Sequence, residues 1–547
     1  MTVILPSLVF SGLSPADPGT DPIRLVLVVV VDQLRPDLLS RLHSRFGPGG
    51  FRRLMDGGTW FEAARCAHFP TFTSVGHAAI FTGAASAGHG IAANDWTEPE
   101  TSAHVYCLED PAHTLLGRKP KLHEGSSPRN LTATTIGDEM VLAARGRSRV
   151  FAVSGKDRAA ILAAGHLGKA FWFAADGGEF VSSTYYYQAY PEWAVRWNAA
   201  RLPDRYAGAT WELSSGRAVG PGDPDDDRPA EKGHKRLGRV FPHILPAEPG
   251  AELYDALGTT PFGDELSIDF SLTLLEAEGL GRGPTADLLA VGLAATDAIG
   301  HAYGPSSLEY EDQVLRLDGL LAKLFAAVDR GVGRDRVLIV LTSDHGVDEI
   351  PEIRSAQGFP AGRLDGERMR QSMNRGLRTR FGIEADLIDS FWTPAFHVDP
   401  AAAAKAGLTV DRVAETAAEI VRTEPGVAWA LTRADLLSGR VPDAPELRSV
   451  RRSVHPRLTG SIVVIQKPSW HFYDDPVKYA ATHGSPYAYD AHVPLGIAGP
   501  GVAARHTVSP AVLEDIAPTI AALLGTAFPS ASIGTPLLSP PQPVRDC

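Results

Sequence analysis

Apolar and polar positions alternate along this chain in two rhythms. Short unbroken apolar runs end abruptly on charged or polar clusters, and between them lie stretches whose apolar residues recur at helical spacing. Residues 25–31 read Leu-Val-Leu-Val-Val-Val-Val, with no polar position at all, and stop at Asp32. That is the pattern of a strand buried on both faces of a parallel sheet. The same grammar returns at residues 288–296, ending on Asp297, and at residues 337–343, ending on Asp344 and His345. A fourth buried run, 150–153, precedes Lys156-Asp157-Arg158. In an open α/β sheet the carboxyl ends of the strands share one edge, and ligands collect there. Three strands thus deliver acids to one place, and one strand-terminal Asp alone would be only a helix cap. Residues 309–329 carry Leu315, Leu317, Leu320, Leu321, Leu324 and Phe325 at helical spacing and predict a scaffold helix with a solvated charged face. Residues 515–525 predict a closing helix with Pro518 in its first turn and Gly525 as its stop.

Composition narrows the class. With 547 residues, 44% hydrophobic and 21% charged, the chain reads as a large soluble α/β protein, with no apolar span long enough for a bilayer. A formal net charge of -12 argues against a nucleic-acid surface. Cys66, Cys107 and Cys547 make no metal-binding CxxC; one Cys66–Cys107 disulfide fits the spacing, which favours free thiols. Residues 1–22 are apolar at first but broken by Pro6 and lack an early Lys or Arg, so they read as a flexible leader or the remnant of a signal peptide.

The chemistry centres on residues 66–94. Thr73 follows a Pro-containing approach and precedes the small, apolar run 75–82, which places it near a helix N-terminus, where phosphate is held well. Alone it is an ordinary capping threonine, and its hydroxyl becomes a nucleophile only with a base or a metal ion. Asp297 and His301 are four residues apart, on one side of a helical turn. Asp344 and His345 are adjacent, followed by Gly346, and His483 precedes Gly484. Carboxylate and imidazole sets of this kind suit zinc, and two sets suit a paired-metal site. His492 competes with His483, but it enters the apolar strand 493–498; His77 reads as a helix-packed, hydrogen-bonded histidine.

In order along the chain, Asp32, Pro70-Thr-Phe-Thr73-Ser-Val-Gly-His77, His89-Gly-Ile-Ala-Ala-Asn94, Lys156-Asp-Arg158, Asp297 with His301, Asp344-His345 and His483 resemble the alkaline phosphatase superfamily. The likeness is to its threonine-nucleophile, zinc-dependent branch, and it extends over residues 25–524. Val75 stands where relatives often have Pro. The resemblance implies a three-layer αβα sandwich around a mostly parallel sheet. It also implies two zinc ions, one held by Asp297, His301 and His483, the other by Asp32, Asp344, His345 and the oxygen of Thr73. The expected core is residues 23–345 and 480–530, interrupted by a cap module at 350–479 that contains a helical stretch (401–423), a basic stretch (448–457) and a strand (461–465), and followed by a tail at 531–547. The aromatic segment 185–197 is expected to pack near the pocket, and 216–235 to be an exposed loop.

The function that follows is hydrolysis of small phosphate monoesters through a phosphothreonine on Thr73, with Asn94, Lys156 and Arg158 meeting the phosphoryl oxygens. The location would be periplasmic or secreted, and a monomer is favoured. A nucleotide pyrophosphatase or diesterase and a non-catalytic phosphate-binding relic stand as alternatives. A sulfatase does not, because no Cys/Ser-x-Pro-x-Arg signature surrounds Thr73.

Overall fold

The structure, a computed structural model, describes residues 23–473 and 479–539. The expected leader, the Pro-rich end and Cys547 lie outside the described residues. The strands used below are, in chain order, β1 (Leu25–Val31), β2 (Thr59–Phe61), β3 (Val150–Ser154), β4 (Lys169–Ala174), β5 (Glu179–Val181), β6 (Asp287–Leu293), β7 (Val337–Thr342), β8 (Ile388–Trp392), β9 (Ala395–Val398), β10 (Val427–Thr432), β11 (Ile462–Gln466), β12 (Leu495–Ala498) and β13 (Arg505–Thr507). Nine of them form one sheet in the order β13-β2-β12-β7-β1-β6-β3-β4-β5. All run parallel except β12 and β5. β1 lies at the centre, in register with β6 from Leu25 beside Asp287 to Val31 beside Leu293.

Alternation along β1 explains the absence of polar residues in it. Leu25, Leu27, Val29 and Val31 join one apolar core, and Val26, Val28 and Val30 join a second on the opposite face. Helices α1 (Thr73–Thr82), α2 (Asp157–Ala164), α3 (Pro261–Ala277), α4 (Ala295–Tyr303), α5 (Leu308–Val332), α6 (Gly366–Phe381), α7 (Val410–Val421), α8 (Pro445–Ser453) and α9 (Ile516–Leu524) follow the chain. α3 and α5 cover the first face through Phe270, Leu274, Leu317 and Leu321; α1, α2 and α9 cover the second through Val75, Ile80, Ile161 and Ile520. The result is a three-layer α/β sandwich with a mostly parallel sheet.

Within 350–479 a separate antiparallel sheet, β8-β9-β11-β10, packs on α6 and α7 around Met373, Leu377, Val413, Ala417 and Val464. A small apolar cluster joins this unit to the rest of the chain. Phe69, four residues before Thr73, packs with Leu447, Val450 and Ile465. Trp392 on β8 donates its indole N–H to Thr97 Oγ1 at 3.0 Å and stacks on His104.

Three sequence expectations change. The strand expected at 288–296 ends at Leu293, and α4 starts at Ala295, so Asp297 stands in the first turn of a helix and not on a strand end. The aromatics of 185–197 turn away from the cleft; Trp193 and Trp197 pack on Phe270 of α3, because the sheet edge at β4 and β5 needs an apolar cover. The loop 216–235 is partly internal, with Asp226 and Glu231 buried beside His243 and Glu309. A fourth expectation holds: Cys66 and Cys107 are both free thiols, as the spacing favours, and each is buried.

One glycine sets how closely α1 approaches the sheet. A Cβ on Gly76 would lie 2.6 Å from the carbonyl oxygen of Asp344 and 2.8 Å from its Cβ. Gly76→Ala therefore has to push α1 off the end of β7, at a cost of about 1–3 kcal/mol. A lowered thermal midpoint together with weakened divalent-metal binding is the expected outcome, measured by calorimetry and metal titration.

Candidate active site

Asp32 directly follows β1, Asp344 and His345 follow β7 after Ser343, and α4 leaves β6 carrying Asp297 and His301 one turn apart. His483 arrives on the chain returning to β12. The parallel strands thus bring these side chains to one edge. Their polar atoms form two sets within which all lie closer than 4.8 Å: Asp32 with Asp344 and His345, and Asp297 with His345 and His483. His345 is close to both sets, its ring stacked on that of His483 at 3.6 Å. His301 joins through Asp297, its Nε2 3.3 Å from Asp297 Oδ1.

The imidazoles share one device. Nδ1 of His301 meets the carbonyl of Ala481 at 2.7 Å, Nδ1 of His345 that of Gly346 at 3.0 Å, and Nδ1 of His483 that of Thr71 at 2.7 Å. A carbonyl only accepts, so each Nδ1 carries the proton and each Nε2 presents a lone pair to the centre. There, His345 Nε2 stands 3.4 Å from Asp32 Oδ1 and 3.5 Å from Asp344 Oδ2, and His483 Nε2 stands 3.5 Å from Asp297 Oδ1. Burial, aided by the neighbouring His483, drives His345 down to about 3, so it is neutral; burial lowers His483 as well. Lone pairs therefore face lone pairs, and a cation between them turns the repulsion into binding. Asp32 Oδ1, Asp344 Oδ2 and His345 Nε2 are buried without hydrogen-bond partners. These donors fit divalent metal, with main-chain carbonyls orienting the ligating rings.

Charge leads to the same fit. Asp32, Asp297 and Asp344 are all at most 4% exposed. Lys156 Nζ lies between Asp32 Oδ2 at 2.5 Å and Asp297 Oδ2 at 2.6 Å, and despite burial these carboxylates raise its pKa. One ammonium is not enough. Burial and the repulsion of Asp297 and Asp344 push Asp32 well above the carboxylate range. Burial works the same way on Asp297, yet His301 and Lys156 hold it well below that range; His345 and His77 do the same for Asp344.

Thr73, 1% exposed, is the first residue of α1 and faces a cleft of about 240 Å³. Asn94, Arg158, Asp297, His301 and His483 line that cleft too. Asn94 Oδ1 accepts from the Ser74 amide at 3.3 Å, which turns its NH₂ outward. Lys156 is set beneath the cleft among the carboxylates, whereas Arg158 opens onto it. His77 bonds the Thr73 carbonyl through Nδ1, and His492 bonds the Glu62 carbonyl at the surface, away from the cleft.

Sequence reasoning missed two features. Gln33, buried and at φ 67°, donates its main-chain N–H to Asp344 Oδ1 and its side-chain amide to Asp297 Oδ1, tying both sets together. Its place directly after a strand-terminal Asp was the available signal. The other is the aromatic mouth: Phe72, Trp392, Phe472, Tyr473 and Tyr479 rim the cleft. Trp392 comes from β8, Phe472 and Tyr473 come from the strand Trp470–Phe472 and its end, and nothing in the spacing of the five places them together.

An acid-and-imidazole centre at the carboxyl edge of a mostly parallel sheet, facing a threonine at a helix start, defines an enzyme of the alkaline phosphatase superfamily. Within it, the chain belongs to the type I phosphodiesterase / nucleotide pyrophosphatase family, whose model matches residues 26–486. Alkaline phosphatase PafA of Elizabethkingia meningoseptica is 33% identical over 517 residues, 94% of each chain. Alkaline phosphatase PhoV of Synechococcus elongatus is 33% identical over 93% of this chain and 92% of its own. The crystal structure of wild-type PafA superposes with a TM-score of 0.86 at 32% identity, covering 95% of this chain and 99% of that one. A PafA variant of known structure is substituted at a threonine, an asparagine, a lysine and an arginine, in the order and at the sequence intervals of Thr73, Asn94, Lys156 and Arg158 here.

Repulsion among the three carboxylates makes a stability test. Chelation should lower the thermal midpoint of the wild type, and divalent metal should restore it. Asp32→Asn removes one repelling charge, so without metal it should melt above wild type, while its rise on adding metal shrinks. An Asp32→Asn protein that melts below wild type in chelator would contradict this account of the centre.

Proposed function

We propose that this alkaline phosphatase, a divalent-metal-dependent phosphoric monoester hydrolase, transfers the phosphoryl group of its substrate to Thr73 and then to water. The observation that carries this reading is the convergence of three buried carboxylates and three Nε2-presenting imidazoles beside the cleft that holds Thr73 and Arg158, with Asp297, His301 and His483 lining it. Asp297, His301 and His483 would hold one zinc ion, and Asp32, Asp344 and His345, with the oxygen of Thr73, a second. Bound zinc supplies Lewis-acid stabilisation of oxyanions and lowers the pKa of a bound hydroxyl. The chain's own groups do the rest. Thr73 attacks phosphorus in line from the first turn of α1, where unpaired main-chain N–H groups favour the incoming negative charge. Asn94 donates from its NH₂ to one non-bridging oxygen. Arg158 offers its planar fork to the others, and Lys156 adds positive charge from below. His301, His345 and His483 keep Nε2 directed inward throughout, because their Nδ1 protons are committed to carbonyls.

A monoester dianion carries more negative charge on its non-bridging oxygens than a diester, and two cationic side chains beside the cleft suit the dianion. That favours small soluble monoesters over the nucleotide diesters that the family's name includes. A periplasmic or secreted location belongs to this reading; among the described residues no helix is long and apolar enough to cross a membrane.

Active protein should contain about two zinc ions per chain by metal analysis. Thr73→Ser should retain turnover and Thr73→Ala should lose several orders of magnitude, with acid-quenched label recovered on the Thr73 peptide. Label on another residue would refute the nucleophile. The cations are tested separately, with an aryl phosphate and an aryl diester. Lys156→Ala with Arg158→Ala should cut monoester turnover by several orders of magnitude and leave diester turnover within about tenfold. Equal losses on both substrates would make the pair structural.

A further inference from the structure

Among the described residues, the half-buried guanidinium of Arg158 has no full partner. Its Nε is enclosed and unbonded, and the nearest carboxylate oxygen, Asp157 Oδ1, stands 3.9 Å from Nη1, beyond hydrogen-bond length. That separation needs a cause, because a carboxylate 3.9 Å from a guanidinium ordinarily closes on it to a bidentate contact. The cause is on the other side of Asp157. Its Oδ1 accepts from the hydroxyl of Tyr106 at 2.7 Å and from the main-chain N–H of Arg158 at 2.7 Å. Behind Oδ2 the main chain of Gly125 packs so closely that a Cβ there would lie 2.2 Å away. Tyr106 ends the strand His104–Tyr106, which pairs with Asp95–Thr97, the strand that begins next to Asn94. The hairpin that supplies one phosphate-facing side chain therefore also supplies the hydroxyl that controls another.

We propose that Tyr106 is a positioning residue for the phosphatase reaction: its hydroxyl holds the Asp157 carboxylate away from Arg158, so that the guanidinium keeps its N–H donors for the non-bridging oxygens of a monoester dianion. The proposal rests on the reading of Arg158 given above. Burial, and next the charge of Asp157, raise the phenol of Tyr106 well above its ordinary value, so the hydroxyl stays a donor through the alkaline range. Asp157 is thus a restrained competitor of the substrate. Free to turn, it would close on Arg158 and take the donors the dianion needs.

The test is a rescue experiment on metal-loaded enzyme, reading kcat/KM for an aryl phosphate and inhibition by inorganic phosphate. Tyr106→Phe should lower kcat/KM on the order of tenfold and weaken phosphate inhibition. Asp157→Asn removes the competing charge and should tighten phosphate inhibition. Tyr106→Phe combined with Asp157→Asn should recover to within about threefold of Asp157→Asn alone, and Tyr106→Phe should cost nothing further in an Arg158→Ala background. A fold defect in Tyr106→Phe would not be repaired by an amide at position 157, so recovery supports the proposal and its absence overturns it. An equal cost of Tyr106→Phe with and without Arg158 overturns it as well. If Arg158→Ala itself leaves monoester turnover unchanged, the reading of Arg158 fails and takes this proposal with it; if Arg158→Ala is impaired but rescue is absent, only the role of Tyr106 falls.

Discussion

Three carboxylates buried within reach of one another cannot all stay ionised unless cations join them. Asp32, Asp297 and Asp344 are in that position, and most of the surrounding structure answers to it. Lys156 is drawn between two of them, Gln33 donates to two of them, and three imidazoles face them with lone pairs. The centre is consequently a binding site before it is a catalytic one. Its donors are arranged at the expense of mutual repulsion, and bound metal removes that repulsion.

The sheet makes such an arrangement affordable in structural terms. β1, β6 and β7 are neighbours, buried on both faces, so the side chains that follow them are fixed by two apolar cores and not by surface loops. α1 completes the site by close approach at Gly76, which puts the start of that helix, and with it Thr73, against the end of β7. Phosphoryl chemistry is thereby assigned to the rigid layer of the protein. The aromatic mouth is built partly by another unit, joined through Phe69 and Trp392.

Much of this was legible in the sequence because the strongest signal, an unbroken apolar run closed by an acid, is local. β1 and its Asp32 could be read residue by residue, and β7 with Asp344 and His345 nearly so. At 288–296 the same rule extended the strand too far, since a buried helix start made of Ala and Thr looks like strand until its tertiary partners are known. The aromatic segment 185–197 misled for a related reason: Trp and Tyr mark apolar cover as readily as they mark a pocket, and here the sheet edge claimed them. The mouth residues Trp392 and Tyr479 lie hundreds of positions from Phe72, and only the packing of separate units brings them together.

The chain that returns from the second unit is sewn to the metal-facing helix: the Ala480 N–H donates to the His301 carbonyl at 2.6 Å, and the His301 ring donates back to the carbonyl of Ala481. A wide swing of that unit would have to break this pair of hydrogen bonds, so the return chain couples the mouth to the helix that carries Asp297 and His301. An aperture tied in this way to the floor of its cleft would discriminate by size and charge rather than by closing around a guest.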